Sequence, residues 1–208
     1  MAVRGEPETV DERLERVLDN ADEFFMKTGR VHRTAEAIAR RLTAADIPYA
    51  IAGAMALGVH GFERVTTDVN LLLTCDGLAR LKNACLGHGY VEKFPGSKGL
   101  RDTETNVTID VLIAGDLPGD GLPKPVAFPD PGSVAIEGER YRILALPTLV
   151  ELKLASGMTA PHRLKDLADV LELIRALNLP ADLSADLNPY VQEKYLELWR
   201  SAQVRDPE

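Results

Sequence analysis

Three oxygen-bearing side chains, Asp68, Asn70 and Asp110, stand inside stretches that otherwise alternate like apolar strands. In DVNLLLT (68–74), Asp68 and Asn70 share one strand face, about 6.6–6.8 Å apart, while Val69, Leu71 and Leu73 take the other. In 106–114, Val107, Ile109, Val111 and Ile113 alternate with Thr108, Asp110 and Leu112. A carboxylate buried in such a run without a partner is costly, so Asp110 predicts a ligand or a counter-ion. If the two strands are neighbours, Asp110 stands about 4.8 Å across from the other pair. Three such oxygens on one face can hold Mg²⁺ together with phosphate oxygens. Two-metal phosphoryl chemistry sets its ions about 3.5–4 Å apart and needs carboxylates that bridge them. The plainer reading puts Asp68 at a strand edge, Asn70 on backbone and Asp110 against an arginine.

Gly53 is the second chemical signal. It follows the short apolar run Tyr49-Ala50-Ile51-Ala52, and Ala54 to Val59 read as two helical turns closed by His60-Gly61. A glycine at a helix start lets backbone N–H groups approach an anion, and the helix dipole favours the charge. Its plainer reading is a tight strand-to-helix turn. Other groups carry less. His60 and His162 lack triad-like companions and read as loop or helix-end residues. Glu151 reads as part of a solvated helix face rather than a base. Lys165 and Asp169 read as a surface pair at i,i+4 spacing.

The order of these residues resembles a known signature. IAGAMALGVHGFERVTTDVNLLL (51–73) is similar to the nucleotidyltransferase superfamily related to DNA polymerase β, in its bacterial branch of small antibiotic- and toxin-type enzymes. That pattern runs through a glycine pair, then HG, then R-x-T-x-D-x-D-L-L. Ala52-Gly53-Ala54, His60-Gly61, Arg64, Thr66, Asp68 and Leu71-Leu72 follow it, and Asp110 in VTIDVLIAG fits the later carboxylate. LVELKLASGM with Lys153, and RLKDLADVLELI with Lys165, Asp166 and Asp169, resemble its following helices. The matched blocks cover roughly residues 49–174. The resemblance implies an NTP substrate with Mg²⁺ or Mn²⁺, phosphates approached by Gly53, Ala54, Arg64, Thr66, Lys153 and Lys165, and metal ligands at Asp68, Asn70 and Asp110. It implies transfer of a nucleoside monophosphate to a hydroxyl of a small molecule, a protein or an RNA end. Two departures stand out. The first glycine is Ala52, and the second carboxylate of D-x-D is Asn70, which keeps one carbonyl oxygen, loses the charge and adds NH₂ donors. Three consequences are open: a weak or silent catalyst that binds nucleotide or a partner, a substitute carboxylate at Asp102 or Glu104, or an inactivated sequence.

These residues need an α/β scaffold, and the chain predicts one. The expected fold is a small mixed sheet of about five strands flanked by helices, with C-terminal helices as one wall of a cleft. Apolar spacing places an N-terminal helical part over 1–46, with helices over 10–28, ending at Gly29, and over 34–45, then a core over 47–146 and helices over 147–208, the whole forming one unit. Asp76 is the expected cap of a helix over 77–86, and 116–132, with five prolines and three glycines, reads as an exposed loop and candidate lid. At 208 residues, 45% hydrophobic and net charge −8, the chain reads as a globular protein with no long nucleic-acid track. The acidic first residues lack the apolar core of a signal peptide, and no run reaches the length of a membrane span. Cys75 and Cys85, with no partner at ligand spacing, read as buried reduced thiols of a cytoplasmic protein.

Overall fold

The computed structural model describes residues 17–19, 21 and 29–204. The helix expected over 10–28 lies outside these, apart from 17–19 and 21, which are helical. Helix α1 spans Arg30–Ala44 and buries Val31, Ala35, Ile38, Ala39 and Leu42, one face at three- and four-residue spacing. It starts four residues before the expected Thr34. Gly29 is its N-cap.

Strand β1 (Ala50–Ala52) turns directly into helix α2 (Gly53–His60), whose C-cap Gly61 is left-handed, as the His-Gly pair predicts. Strand β2 (Asp68–Leu73) then leads to helix α3 (Cys75–Cys85). The cap of α3 is Thr74, not Asp76: its hydroxyl accepts from Gly77 N at 2.9 Å, and Asp76 sits inside the first turn, near the positive helix end. Strands β3 (Tyr90–Glu92), β4 (Leu100–Asp102) and β5 (Thr108–Ile113) follow. A short helix α4 (Pro131–Val134) precedes the hairpin of β6 (Ala135–Glu137) and β7 (Arg142–Leu144).

The seven strands form one mixed sheet in the order β3-β4-β5-β2-β1-β7-β6, two more than expected. Strands β3, β4, β6 and β7 are only three residues long. At the centre, β2 runs antiparallel to β1 and parallel to β5, and β1 runs parallel to β7. Helices α1 and α3 pack against β2, and α2 lies against β1, β2 and β7.

Helix α5 (Leu146–Thr159) buries Leu149, Val150, Leu152, Leu154 and Ala155, apolar on nearly all sides. A helix of that kind must be covered all round, and α2, α6 (Leu164–Leu177) and α7 (Pro189–Ala202) cover it. One continuous hydrophobic core runs from Val31 to Tyr195.

Candidate functional site

The parallel pairing of β2 and β5 decides the site. Asp68 registers with Thr108 and Asn70 with Asp110, so all three oxygen-bearing side chains share one sheet face. On the opposite side of β2, Ala52 of β1 registers with Asn70. Val69 and Leu71 are fully buried, whereas Asp68 and Asn70 are half-buried. The start of β2 is therefore covered on one face and open on the other. Asp110 is not the buried carboxylate its strand predicted: its side chain is 40% exposed, and its Oδ1 accepts from Lys93 Nζ at 2.5 Å. The counter-ion is this lysine rather than an arginine. Asp68 Oδ1 accepts from the Thr66 hydroxyl at 2.5 Å.

Gly53 fits the same place. Its φ is +64°, and a Cβ there would lie 2.8 Å from Asn70 Nδ2 and 3.1 Å from Asn70 Cγ. The turn from β1 into α2 thus presses its backbone onto the Asn70 amide. No side chain caps α2, whose first-turn N–H groups include that of buried Ala54. Gly53, Asn70, Leu112 and Lys153 line a cleft between the sheet and α5, and Pro118, Gly119 and Phe128 of the proline-rich loop close over it. Gly119 also has positive φ, and a Cβ there would meet Thr159 Oγ1 at 2.5 Å, so this loop is packed on α5 rather than free. The cavity left is about 80 Å³, well below the roughly 300 Å³ at which small-molecule sites begin. A nucleotide therefore needs the open sheet face or a displaced loop. A wider cavity of about 280 Å³ lies at Met55, Val59, Glu139 and Tyr141, away from the three oxygens, with Ala54 on its wall.

One wall of the cleft carries an ion cluster that tertiary folding assembles. Lys153 is buried, with Nζ 3.0 Å from Asp166 Oδ1 and 2.6 Å from Asp169 Oδ2. Arg64, from the loop before β2, reaches Asp169 through Nε at 2.9 Å and Nη2 at 3.1 Å. Arg163 Nε lies 2.8 Å from Asp166 Oδ2, which also accepts from the Ser156 hydroxyl at 2.8 Å. Burial pushes the Asp166 carboxyl upward, but the Lys153 charge, the Ser156 hydroxyl and Arg163 outweigh it and hold it below its ordinary value. Asp169 is thus buried and bound to Lys153 and Arg64, not paired with Lys165 on the surface. Lys165 is exposed and does not line the cleft.

Other expectations resolve into structural roles. Asp102 does not substitute for the missing carboxylate: it is buried, its Oδ2 accepts from Thr34 of α1 at 3.3 Å, and its Oδ1 accepts from the N–H groups of Glu104 and Thr105. Glu104 is exposed in that turn. Glu151 is half-buried and accepts from Asn188 N at the start of α7. His60 Nε2 lies 2.8 Å from Leu144 O, tying α2 to β7. Cys85 is buried but Cys75 is exposed, and both are free thiols.

Among the described residues, no group of three or more His, Cys, Asp or Glu side chains is placed to hold a metal ion. The donor set is two carboxylates and one amide. Mg²⁺ commonly takes one or two protein carboxylates and completes its shell with water and phosphate oxygens, so Asp68 and Asp110 fit one ion. They do not fit two, because the amide between them brings no charge to bridge a pair.

No protein-family model matches this sequence, and no curated protein matches it. Among solved structures, JHP933 from Helicobacter pylori is similar at 19% identity and a TM-score of 0.44, over 82% of this chain and 88% of that one. ANT(2'')-Ia in complex with adenylyl-2''-tobramycin is similar at 13% identity and a TM-score of 0.46, over 82% of this chain and 99% of that one. No described helix is long and apolar enough to cross a membrane.

Proposed function

We propose that the chain is a nucleotidyltransferase. It binds an NTP with one divalent ion on the open face of β2 and β5 and transfers the nucleoside monophosphate to an acceptor hydroxyl, releasing pyrophosphate. The register of β2 with β5 supports this reading above all: it sets Asp110 beside Asn70 and puts both on the face of Asp68, where Gly53 opens α2. Asp68 and Asp110 would hold the ion. When bound, Mg²⁺ or Mn²⁺ would neutralise phosphate charge and polarise the reacting phosphoryl group.

The remaining work falls to this chain's own groups. The first-turn N–H groups of α2 would donate to phosphate oxygens, with the dipole in support. The Asn70 amide can offer its NH₂ to a phosphate or its carbonyl oxygen to the ion. Among the described residues, Lys153, Arg64 and Arg163 are paired with Asp166 and Asp169, three cations to two carboxylates. That surplus favours an anionic ligand over a neutral one. The Pro118–Phe128 side would exclude water from the reacting oxygens. Such catalysis is positioning and electrostatics. The acceptor is a small molecule, a protein side chain or an RNA end, and the net charge of −8 argues against a long nucleic-acid track.

A second reading has a specific basis. Asn70 stands where a bridging carboxylate would serve, Lys93 holds Asp110, and Lys153 is held twice. These features suit a protein of the same fold that binds nucleotide or a partner without turnover. Labelled-nucleotide transfer with Mg²⁺ separates the two. Transfer by the native chain, lost in Asp68→Ala and Asp110→Ala, supports the enzyme. Transfer only by Asn70→Asp supports the silent form.

A further inference from the structure

We propose that Lys93 is the site's second cation: its ammonium occupies the side of Asp110 that a second metal ion would need, and so limits the site to one divalent ion. The proposal rests on the reading of Asp68 and Asp110 as the metal-holding pair. It comes from three observations.

Lys93 Nζ lies 2.5 Å from Asp110 Oδ1, at contact distance for a charge-assisted hydrogen bond. A divalent ion on that oxygen meets the ammonium directly. The arrangement is also built rather than incidental. Lys93 follows the end of β3, where its N–H donates to Gly99 O at 3.1 Å, and a Cβ at Gly99 would come 2.7 Å from Lys93 Cδ and 2.9 Å from Ile109 O. Only a residue without a side chain leaves room at Gly99 for the lysine stem to pass and reach Asp110 of β5. The third observation is charge. A site with three carboxylates balances two divalent ions better than one. Here Asn70 removes one negative charge and Lys93 adds one positive charge, and both changes fall at the register position shared by β2 and β5. The two changes add, and together they match the charge of the second divalent ion: a site with less negative charge carries a tethered cation in place of an exchangeable one. Beside Asp110 the ammonium is also a donor for triphosphate oxygens.

The test is Mn²⁺ binding without nucleotide, followed by electron paramagnetic resonance of free Mn²⁺, on the full chain. Lys93→Met should tighten Mn²⁺ binding roughly fivefold or more, the scale of losing one partly exposed charge at contact. Lys93→Arg should leave affinity near that of the native chain. Adding Asp110→Asn to Lys93→Met should abolish the gain. A change below twofold in Lys93→Met, with native far-UV circular dichroism, overturns the proposal. So does a gain that survives Asp110→Asn. In EDTA, ATP binding measured by calorimetry should weaken in Lys93→Met and persist in Lys93→Arg. Absence of ATP binding by the native chain, with and without Mg²⁺, would overturn the nucleotide reading, while the Mn²⁺ comparison would still decide whether Lys93 competes for Asp110.

Discussion

Replacing Gly53 by alanine probes the turn and the site in one step. Two costs add. A non-glycine residue in the left-handed region costs about 1–2 kcal/mol, and Gly53 sits there at φ +64°. The new methyl would also stand 2.8 Å from Asn70 Nδ2 and 3.3 Å from Asn70 Cβ. Asn70 must shift, or β1 must lift from β2, and forced overpacking costs about 1–3 kcal/mol. Gly53→Ala should therefore destabilise by about 2–5 kcal/mol in urea denaturation. The steric share belongs to one named side chain, so it can be separated. Asn70→Ala removes the amide atoms at 2.8 and 3.1 Å and keeps only the Cβ at 3.3 Å, so the double variant should recover most of that steric share of about 1–3 kcal/mol, leaving little more than the backbone cost of about 1–2 kcal/mol. Gly53→Ala costing under about 1 kcal/mol, against the left-handed penalty, would refute the turn geometry. A double variant no better than the sum of the single ones would refute the contact between Gly53 and Asn70.

Three further outcomes follow from the ion cluster and the loop. Lys153→Met leaves Asp166 and Asp169 buried with the arginines alone and should cost about 3–5 kcal/mol by urea denaturation; a cost below about 1 kcal/mol, the scale of an exposed pair, would show that the cluster is solvated. Acid sensitivity has a defined sign. The folded Asp166 carboxyl is held low by Lys153, Ser156 and Arg163 against the upward push of burial. Its stabilisation is therefore present above the unfolded value of about 3.9 and lost as pH falls through the lower folded value. Urea midpoints should drop below about pH 4, and less steeply in Lys153→Met; equal slopes in both proteins would contradict the assignment. Gly119→Ala, forced against Thr159 and Ser156, should speed amide exchange over 116–128 more than in the sheet; an unchanged loop would mean that Gly119 does not hold it on α5.

What the chain discloses before folding depends on range. The Gly53 turn, the His60-Gly61 stop and the alternation in β2 and β5 are local, so residue types alone announce them. The adjacency of β2 and β5 is not local, but two polar interruptions in apolar runs implied a common destination, and the register supplies it. Partners were another matter. Lys93 lies 17 positions from Asp110 and Arg64 lies 105 from Asp169, so no periodicity links them. Asp166 and Asp169 look like surface residues of α6 until α5 brings Lys153 against them. At α3, Thr74 and Asp76 are both capping types, and only the turn geometry chooses between them. Asp102 looked like a spare carboxylate because its buried link to Thr34 joins residues 68 positions apart.

Calorimetric titration of the native chain with each of ATP, GTP, CTP and UTP in Mg²⁺, alongside Asp68→Asn and Asp110→Asn, tests the central claim most directly. The account predicts that at least one nucleotide binds and that each variant weakens it by tenfold or more, the usual scale for losing a metal-site partner. Failure of the native chain and of Asn70→Asp to bind any of the four at millimolar concentration would contradict it, as would binding that neither carboxylate affects.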